Sequence, residues 1–127
     1  MTLLFDTSAF IWWITGDSRL GERARSALAD PANDVFVSAV SAWEIAIKRS
    51  LGKLAFAGEV AALVEREDFQ ELPIRMVHAE EAEALPLHHR DPFDRMLVAQ
   101  SRSESLVLVT SDRVFTRYDV RLLPAGA

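Results

Sequence analysis

The 127-residue chain contains no cysteine. This absence excludes disulfide scaffolds, zinc ribbons and thiol nucleophiles, and it fits a reducing compartment. Long apolar runs are also missing: the longest, from Ala9 to Ile14, is far shorter than the ~20 residues that a membrane-spanning helix needs. The first apolar segment has no basic leader and no cleavage site, so we expect a cytoplasmic protein without a membrane anchor.

Positive charge is scarce as well. The chain has 14 Lys and Arg against 19 Asp and Glu, and its formal net charge is -5. This balance argues against a broad basic face that would hold nucleic acid by charge alone. Half of the residues are hydrophobic and 26% are charged, which is typical of a globular protein. The length predicts one domain over residues 1–127.

Short apolar segments without polar alternation predict buried strands, and the segments between them have helical periodicity. Strands are predicted at Thr2–Phe5, Val35–Val37, Leu72–Met76, Leu106–Val109 and Val120–Leu123. Helices are predicted at Ser8–Ile14, Gly21–Ala29, Ser41–Leu51, Gly58–Asp68, His78–Leu85 and Asp91–Glu104, with a helical turn after Asp112. This alternation predicts an α/β fold in which helices cover both faces of a parallel sheet.

Four acidic residues occupy related positions in this order of elements. Asp6 and Asp112 follow predicted strands, and Glu44 and Asp94 lie in the first turns of predicted helices. Because strand C-termini and helix N-termini share one edge of such a sheet, we expect all four carboxylates there. Crowded carboxylates take up protons unless a cation is present. A set of oxygen ligands favours Mg²⁺ or Mn²⁺, which activate water and stabilise a phosphodiester in transfer.

Several of these acids also have a purely structural interpretation. Asp91 and Pro92 are typical of a helix N-terminus, with Asp94 at the third position, and we interpret Asp91 mainly as a cap. Asp6 and Asp112 could be simple caps too. Short hydroxyl side chains beside two of the acids are suited to orienting a carboxylate; they are Thr7, Ser8, Thr110 and Ser111.

Glu44 has two structural alternatives of its own. Ser41 and Glu44 have the spacing of a capping box, and Glu44 could pair with Lys48 four residues later. Lys48, Arg49 and Arg95 flank the predicted edge, where they could contact phosphates or form salt bridges. Both readings stay open at this point.

The aromatic and histidine residues give weaker signals. Trp12, Trp13 and Trp43 lie in apolar helices, which favours packing in the core or at an interface over base stacking. His88 and His89 lie in a polar loop without a third nitrogen or sulfur ligand, so we expect them to be solvated.

Four blocks of the sequence resemble the PIN domain, and more narrowly the VapC-type toxins of bacterial type II toxin–antitoxin pairs. The similarity runs over nearly the whole chain, and the four blocks occur in the family's order. They are LLFDTS at 3–8, VSAVSAWEIAIK at 37–48, HRDPFDRMLVAQ at 89–100 and LVTSD at 108–112.

The resemblance implies a Rossmann-like three-layer α/β/α sandwich and a ribonuclease that binds Mg²⁺ or Mn²⁺. The family's acidic positions match Asp6, Glu44, Asp94 and Asp112. It also implies a cognate VapB-type antitoxin and a homodimer. The aromatic helix with Phe10, Trp12 and Trp13 would suit either contact.

The resulting hypothesis is an endoribonuclease toxin. A metal held by Asp6, Asp94 and Asp112, with Glu44 orienting water or a second ion, would activate a water for in-line attack on an RNA phosphate. The products would carry a 5′-phosphate and a 3′-hydroxyl. Two alternatives remain: a magnesium-dependent phosphatase or phosphotransferase, although Ser8 stands where its second acid belongs, and a PIN-like binding domain without catalysis.

Overall fold

A parallel sheet forms the centre of the protein, whose computed structural model describes residues 1–88 and 90–126. His89, predicted to be solvated, and Ala127 lie outside the described residues. The strands are β1 (Thr2–Phe5), β2 (Asp34–Ser38), β3 (Gln70–Leu72), β4 (Val107–Thr110) and β5 (Leu122–Pro124). Their spatial order is β3-β2-β1-β4-β5, and every neighbouring pair is parallel. The predicted α/β fold with a parallel sheet is therefore confirmed.

Helices connect the strands and cover the sheet. They are α1 (Thr7–Thr15), α2 (Glu22–Ala29), α3 (Ala39–Ser50), α4 (Val60–Arg66), α5 (Met76–Ala84) and α6 (Pro92–Ser103), with a 3₁₀ turn at Arg113–Arg117. Within residues 1–88 and 90–126, none of these helices has the length and apolar character that a bilayer crossing requires.

The two faces of the sheet have separate hydrophobic cores, because successive strand residues point to opposite faces. Leu3 and Phe5 pack into one core with Phe10 of α1, whereas Leu4 packs into the other with Leu97 of α6. The first core also takes side chains from α2 and α4, and the second takes side chains from α5. This arrangement is the three-layer sandwich that the resemblance implied.

Some predicted boundaries are wrong, and the clearest case is β3. The strand was expected at Leu72–Met76 but lies at Gln70–Leu72. Pro73 ends it, because proline has no N–H to donate to a neighbouring strand. Helix α5 then begins at Met76, where the His78 ring closes its first turn by accepting a 2.9 Å hydrogen bond from the Arg75 N–H.

Two other elements are displaced from their predicted positions. Helix α3 begins at Ala39 instead of Ser41, because the Ser38 hydroxyl accepts a hydrogen bond from the Val40 N–H and caps the helix. Strand β5 starts at Leu122 rather than Val120. Both shifts leave the carboxyl edge of the sheet unchanged.

Candidate active site

The order of the strands places a crevice between β1 and β4. The chain runs outward from β1 to β2 and β3 on one side, and to β4 and β5 on the other. Ligands of open α/β sheets bind at such a reversal point, beyond the carboxyl ends of the strands. Asp6 directly follows β1, and its N–H donates a 3.0 Å hydrogen bond to the Val109 carbonyl in β4. Asp112 lies two residues beyond the end of β4.

Asp6 is a buried carboxylate with incomplete compensation. Its side chain is the N-cap of α1 and accepts a 2.7 Å hydrogen bond from the Ala9 N–H, which was the structural alternative left open for it. Burial raises the pKa of Asp6 from 3.8 to about 6, although hydrogen bonds from Thr110 and Ala9 oppose the rise. The negative charges of Asp112 and Glu44 raise this pKa further, which places both carboxylates within electrostatic reach of Asp6.

Glu44 is also buried, but both of its oxygens have partners. Its Oε1 accepts a 2.7 Å hydrogen bond from the Thr7 hydroxyl, and its Oε2 lies 2.6 Å from the Lys48 ammonium. The predicted pair with Lys48 is therefore confirmed. The predicted Ser41 capping box is wrong, since Ser38 caps the helix and Ser41 lies inside its first turn, 3.0 Å from the Thr7 hydroxyl.

Asp94 enters the site from the first turn of α6. Asp91 caps this helix through hydrogen bonds from the N–H groups of Phe93 (2.8 Å) and Asp94 (3.2 Å), which confirms its interpretation as a cap. The Glu44 hydrogen bond raises the pKa of Lys48, and the charges of Asp91 and Asp94 contribute in the same direction. Asp94 is thus linked electrostatically to the other acids through Lys48.

Asp112 lies on the open side of the crevice. Its side chain accepts a 3.0 Å hydrogen bond from the Val114 N–H and caps the 3₁₀ turn, which was the alternative left open for it. Its own N–H donates to the Thr110 hydroxyl at 3.0 Å. Asp112 is exposed, in contrast to Asp6 and Glu44.

The four acids have the chemistry of a site for a divalent metal ion. The four acids offer only carboxylate oxygens, and Asp6 is a buried acid whose ionised form a cation would stabilise. In the described part of the chain, however, no three Asp, Glu or His side chains are close enough together to hold one ion. The chemistry of the donors therefore fits Mg²⁺ or Mn²⁺, although the described residues do not form a ready-made ligand group.

The flanking basic residues have different roles. Arg49 donates to the carbonyls of Phe56 and Gly58, and Arg95 donates to the Ala82 carbonyl, so both tie loops to helices. For these two arginines the structure favours a stabilising role over phosphate contact. Lys48, in contrast, contacts one of the acids, since its ammonium is paired with Glu44.

Aromatic residues near the site differ from expectation. Trp12 and Trp13 are partly buried against the first core, as predicted. Phe10 is fully buried, so the expectation that it contacts a partner is wrong. Trp43, just before Glu44, has 58% of its surface exposed, so packing in the core is excluded for it. His88 is exposed, as expected.

Sequence reasoning missed how Glu44 and Asp6 are oriented. Thr7 and Thr110 were singled out only as short hydroxyls beside two acids. The structure shows that Thr7 bonds Glu44, 37 residues away, and that the Thr110 hydroxyl bonds Asp6. In the sequence, Thr7 stands next to Asp6 and Thr110 stands at the end of β4. These positions marked both threonines as candidates, but only the fold shows which carboxylate each one contacts.

The sequence and the fold are both similar to those of known proteins. The family model of the PIN domain matches residues 3–121. The chain belongs to the PIN domain family. No match to a curated protein was found.

Solved structures with the same fold include chains from toxin–antitoxin complexes. One is VapBC2 from Rickettsia felis bound to a promoter DNA fragment: its TM-score is 0.73, its identity is 15%, and the match covers 97% of this PIN domain and 98% of that chain. A toxin–antitoxin complex from Klebsiella pneumoniae matches with a TM-score of 0.66 and 20% identity, covering 97% of each chain. VapBC-5 from Mycobacterium tuberculosis matches with a TM-score of 0.63 and 20% identity, covering 96% and 97%. At these identities the likeness shows a shared fold.

Proposed function

We propose that this PIN domain, over residues 1–127, is a metal-dependent endoribonuclease and the toxin of a toxin–antitoxin pair. The observation that carries the proposal is the group of acids at the carboxyl edge of β1 and β4, with buried Asp6 under the influence of Asp112 and Glu44. Membership of the PIN family and the fold shared with chains of VapBC complexes support it.

The proposed metal ligands are Asp6, Asp94 and Asp112, together with Glu44, and the ion is Mg²⁺ or Mn²⁺. When bound, such an ion activates water and neutralises charge on the phosphate. The chain itself orients the acids: Thr7 and Lys48 hold the two oxygens of Glu44, and the Ala9 N–H holds Asp6. Because the net charge of the protein is -5, we expect RNA to approach this edge only when it carries the cation.

The proposed partners are a cognate VapB-type antitoxin and a second copy of the chain. The similar chains from Rickettsia felis and Mycobacterium tuberculosis come from VapBC toxin–antitoxin structures, which supports the antitoxin as a partner. The second copy rests on the family resemblance. We place the protein in the cytoplasm, which agrees with its lack of cysteine.

The test is cleavage of total cellular RNA by the purified chain with Mn²⁺, with Mg²⁺ and with a chelator. We expect discrete fragments only with metal. Asp94→Asn should lower the cleavage rate by about a hundredfold or more, since metal assistance contributes several kcal/mol. Asp119→Asn is the matched control, because this exposed acid precedes β5 at the opposite edge of the sheet. Cleavage by Asp94→Asn at the wild-type rate would refute the proposed role of Asp94.

A second candidate is a PIN-like domain that binds without cutting, favoured by the separation of the acids and by the Lys48–Glu44 pair. A calorimetric titration that detects no divalent binding would support it. The phosphatase alternative has less support, since Ser8 occupies the position of its second acid. Failure to hydrolyse an aryl phosphate would remove that alternative.

A further inference from the structure

Trp43 is an exposed aromatic residue at the rim of the acidic site. It immediately precedes Glu44 on α3, and 58% of its surface is exposed. Its indole packs edge-to-face on Phe93 of α6, with ring centroids 5.3 Å apart and an interplanar angle of 75°. Phe93 in turn immediately precedes Asp94. The aromatic pair therefore joins the two helices that supply Glu44 and Asp94.

The environment of Trp43 differs from that of the other two tryptophans. The indole N–H of Trp13 donates a 2.7 Å hydrogen bond to Glu67, and the Trp12 ring lies under the Arg19 guanidinium, 5.0 Å away. Among the described residues, Phe93 is the aromatic neighbour of Trp43, and the indole N–H has no hydrogen-bond partner there. An edge-to-face contact fixes a ring while leaving most of its faces uncovered.

We propose that Trp43, supported by Phe93, is a stacking platform for an unpaired nucleobase of the RNA substrate. This inference rests on the proposed function and deepens it, because it assigns a substrate-positioning residue beside the acids. Base–aromatic stacking tolerates any sequence, since every base has a π-face. A base on Trp43 would bring the adjoining backbone to the helices that carry Glu44 and Asp94.

Electrostatics gives an independent reason to expect such a platform. The protein carries a net charge of -5, and its site is acidic, so contacts with the RNA backbone contribute little affinity. The arginines beside the site are bonded to backbone carbonyls, and Lys48 is paired with Glu44. Stacking of a base on an aromatic ring contributes affinity for nucleic acid without a positively charged surface.

The test is RNA binding with all four acids intact and with Ca²⁺ in place of Mn²⁺, because Ca²⁺ is also held by oxygen ligands but activates water less, so that the probe is not cut. Two fluorescent probes of equal length are compared, an unstructured oligoribonucleotide and an abasic one with the same backbone. Trp43→Ala should weaken binding of the first probe by about tenfold, the scale of one stacked base, and leave the second unchanged. Trp43→Phe should restore most of the affinity. Leu51→Ala, which trims an exposed apolar side chain at the other end of α3, is the control and should change neither.

Three results would overturn the inference. Equal weakening on both probes would mean that Trp43 acts through the fold, and circular dichroism of the variant would show this directly. Unchanged RNA binding with a lower oligomer mass by light scattering would assign Trp43 to an interface between copies. Unchanged binding and unchanged mass would leave it without a role in recognition. If the wild-type chain neither binds nor cuts RNA, the proposed function fails together with the inference.

Discussion

Two groups of buried polar side chains in this protein differ in how completely they are compensated. The acidic edge contains Asp6, whose pKa burial raises to about 6. The second group, which we call the Gln100 chain, consists of Ser38, Gln100 and His78. Ser38 donates to Gln100 Oε1 at 2.5 Å, and Gln100 Nε2 donates to the Pro73 carbonyl at 3.3 Å.

His78 joins this group because its Nδ1 lies 3.4 Å from Gln100 Nε2. Its Nδ1 accepts from the Arg75 N–H at 2.9 Å, so its Nε2 carries the proton and faces Glu104 Oε2 at 3.2 Å. Ser38, Gln100 and His78 thus have partners throughout, and they connect β2, α5 and α6. The comparison teaches that a fully hydrogen-bonded buried group stabilises the fold, whereas an incompletely compensated buried charge indicates a place for a ligand.

The largest expected difference between the two groups comes from Asp6→Asn in the absence of metal. Below pH 3.8 Asp6 is protonated in both folded and unfolded chains. Between pH 3.8 and about 6 the folded chain retains a proton that the unfolded chain releases, so stability falls as the pH rises and then stays low. Asparagine can still accept from the Ala9 N–H but carries no charge. We therefore expect the free energy of unfolding at pH 7.5 to increase by up to about 3 kcal/mol.

Urea unfolding with a chelator at pH 3.5 and at pH 7.5 measures this effect. The gain from Asp6→Asn should be small at the lower pH, and the exposed Asp119→Asn serves as the control at both. A variant that is less stable than the wild type at pH 7.5 would contradict the assignment of Asp6 as an incompletely compensated charge. RNA cleavage by the same variant should be lost, so that stability and activity change in opposite directions.

The Gln100 chain should respond in the opposite sense. Gln100→Met keeps the approximate volume but leaves the Ser38 hydroxyl without its acceptor and the Pro73 carbonyl without its donor. We expect unfolding to become easier by about 2 kcal/mol, the usual cost of unpaired buried polar groups. Thermal unfolding measures it, with Gln70→Met on the exposed face of β3 as the control. If Gln100→Met is as stable as the wild type, the hydrogen bonds among Ser38, Gln100 and His78 do not stabilise the fold.

Lys48 neutralises part of the charge at the acidic edge, and its removal has the smallest expected effect of these substitutions. Its ammonium lies 2.6 Å from Glu44 Oε2 and is about half exposed, so it competes only partly with an added cation. Lys48→Met should raise the affinity for Mn²⁺ by about fivefold, corresponding to about 1 kcal/mol. Calorimetric titration against Lys53→Met, an exposed lysine beyond α3, tests this. An unchanged Mn²⁺ affinity in Lys48→Met would show that the pair does not oppose metal binding.

Much of the fold was predictable because its signals are local. The apolar strand at Thr2–Phe5 and the helix start at Asp91 and Pro92 depend on residues within a few positions of each other. Where two local signals competed, the prediction was wrong. The segment after Leu72 is apolar enough for a strand, but Pro73 ends the hydrogen bonding, and Ser38 rather than Ser41 caps α3.

By itself the sequence determined the α/β class, the cap at Asp91, and the expectation that four acids share one sheet edge, since each follows from spacing along the chain. The tertiary structure decided which charges are compensated. The Thr7–Glu44 and Ser38–Gln100 hydrogen bonds join residues 37 and 62 positions apart. The burial and solvation of a charged group depend on all the atoms around it, and many of these belong to residues distant in the sequence. The local sequence pattern therefore cannot predict them.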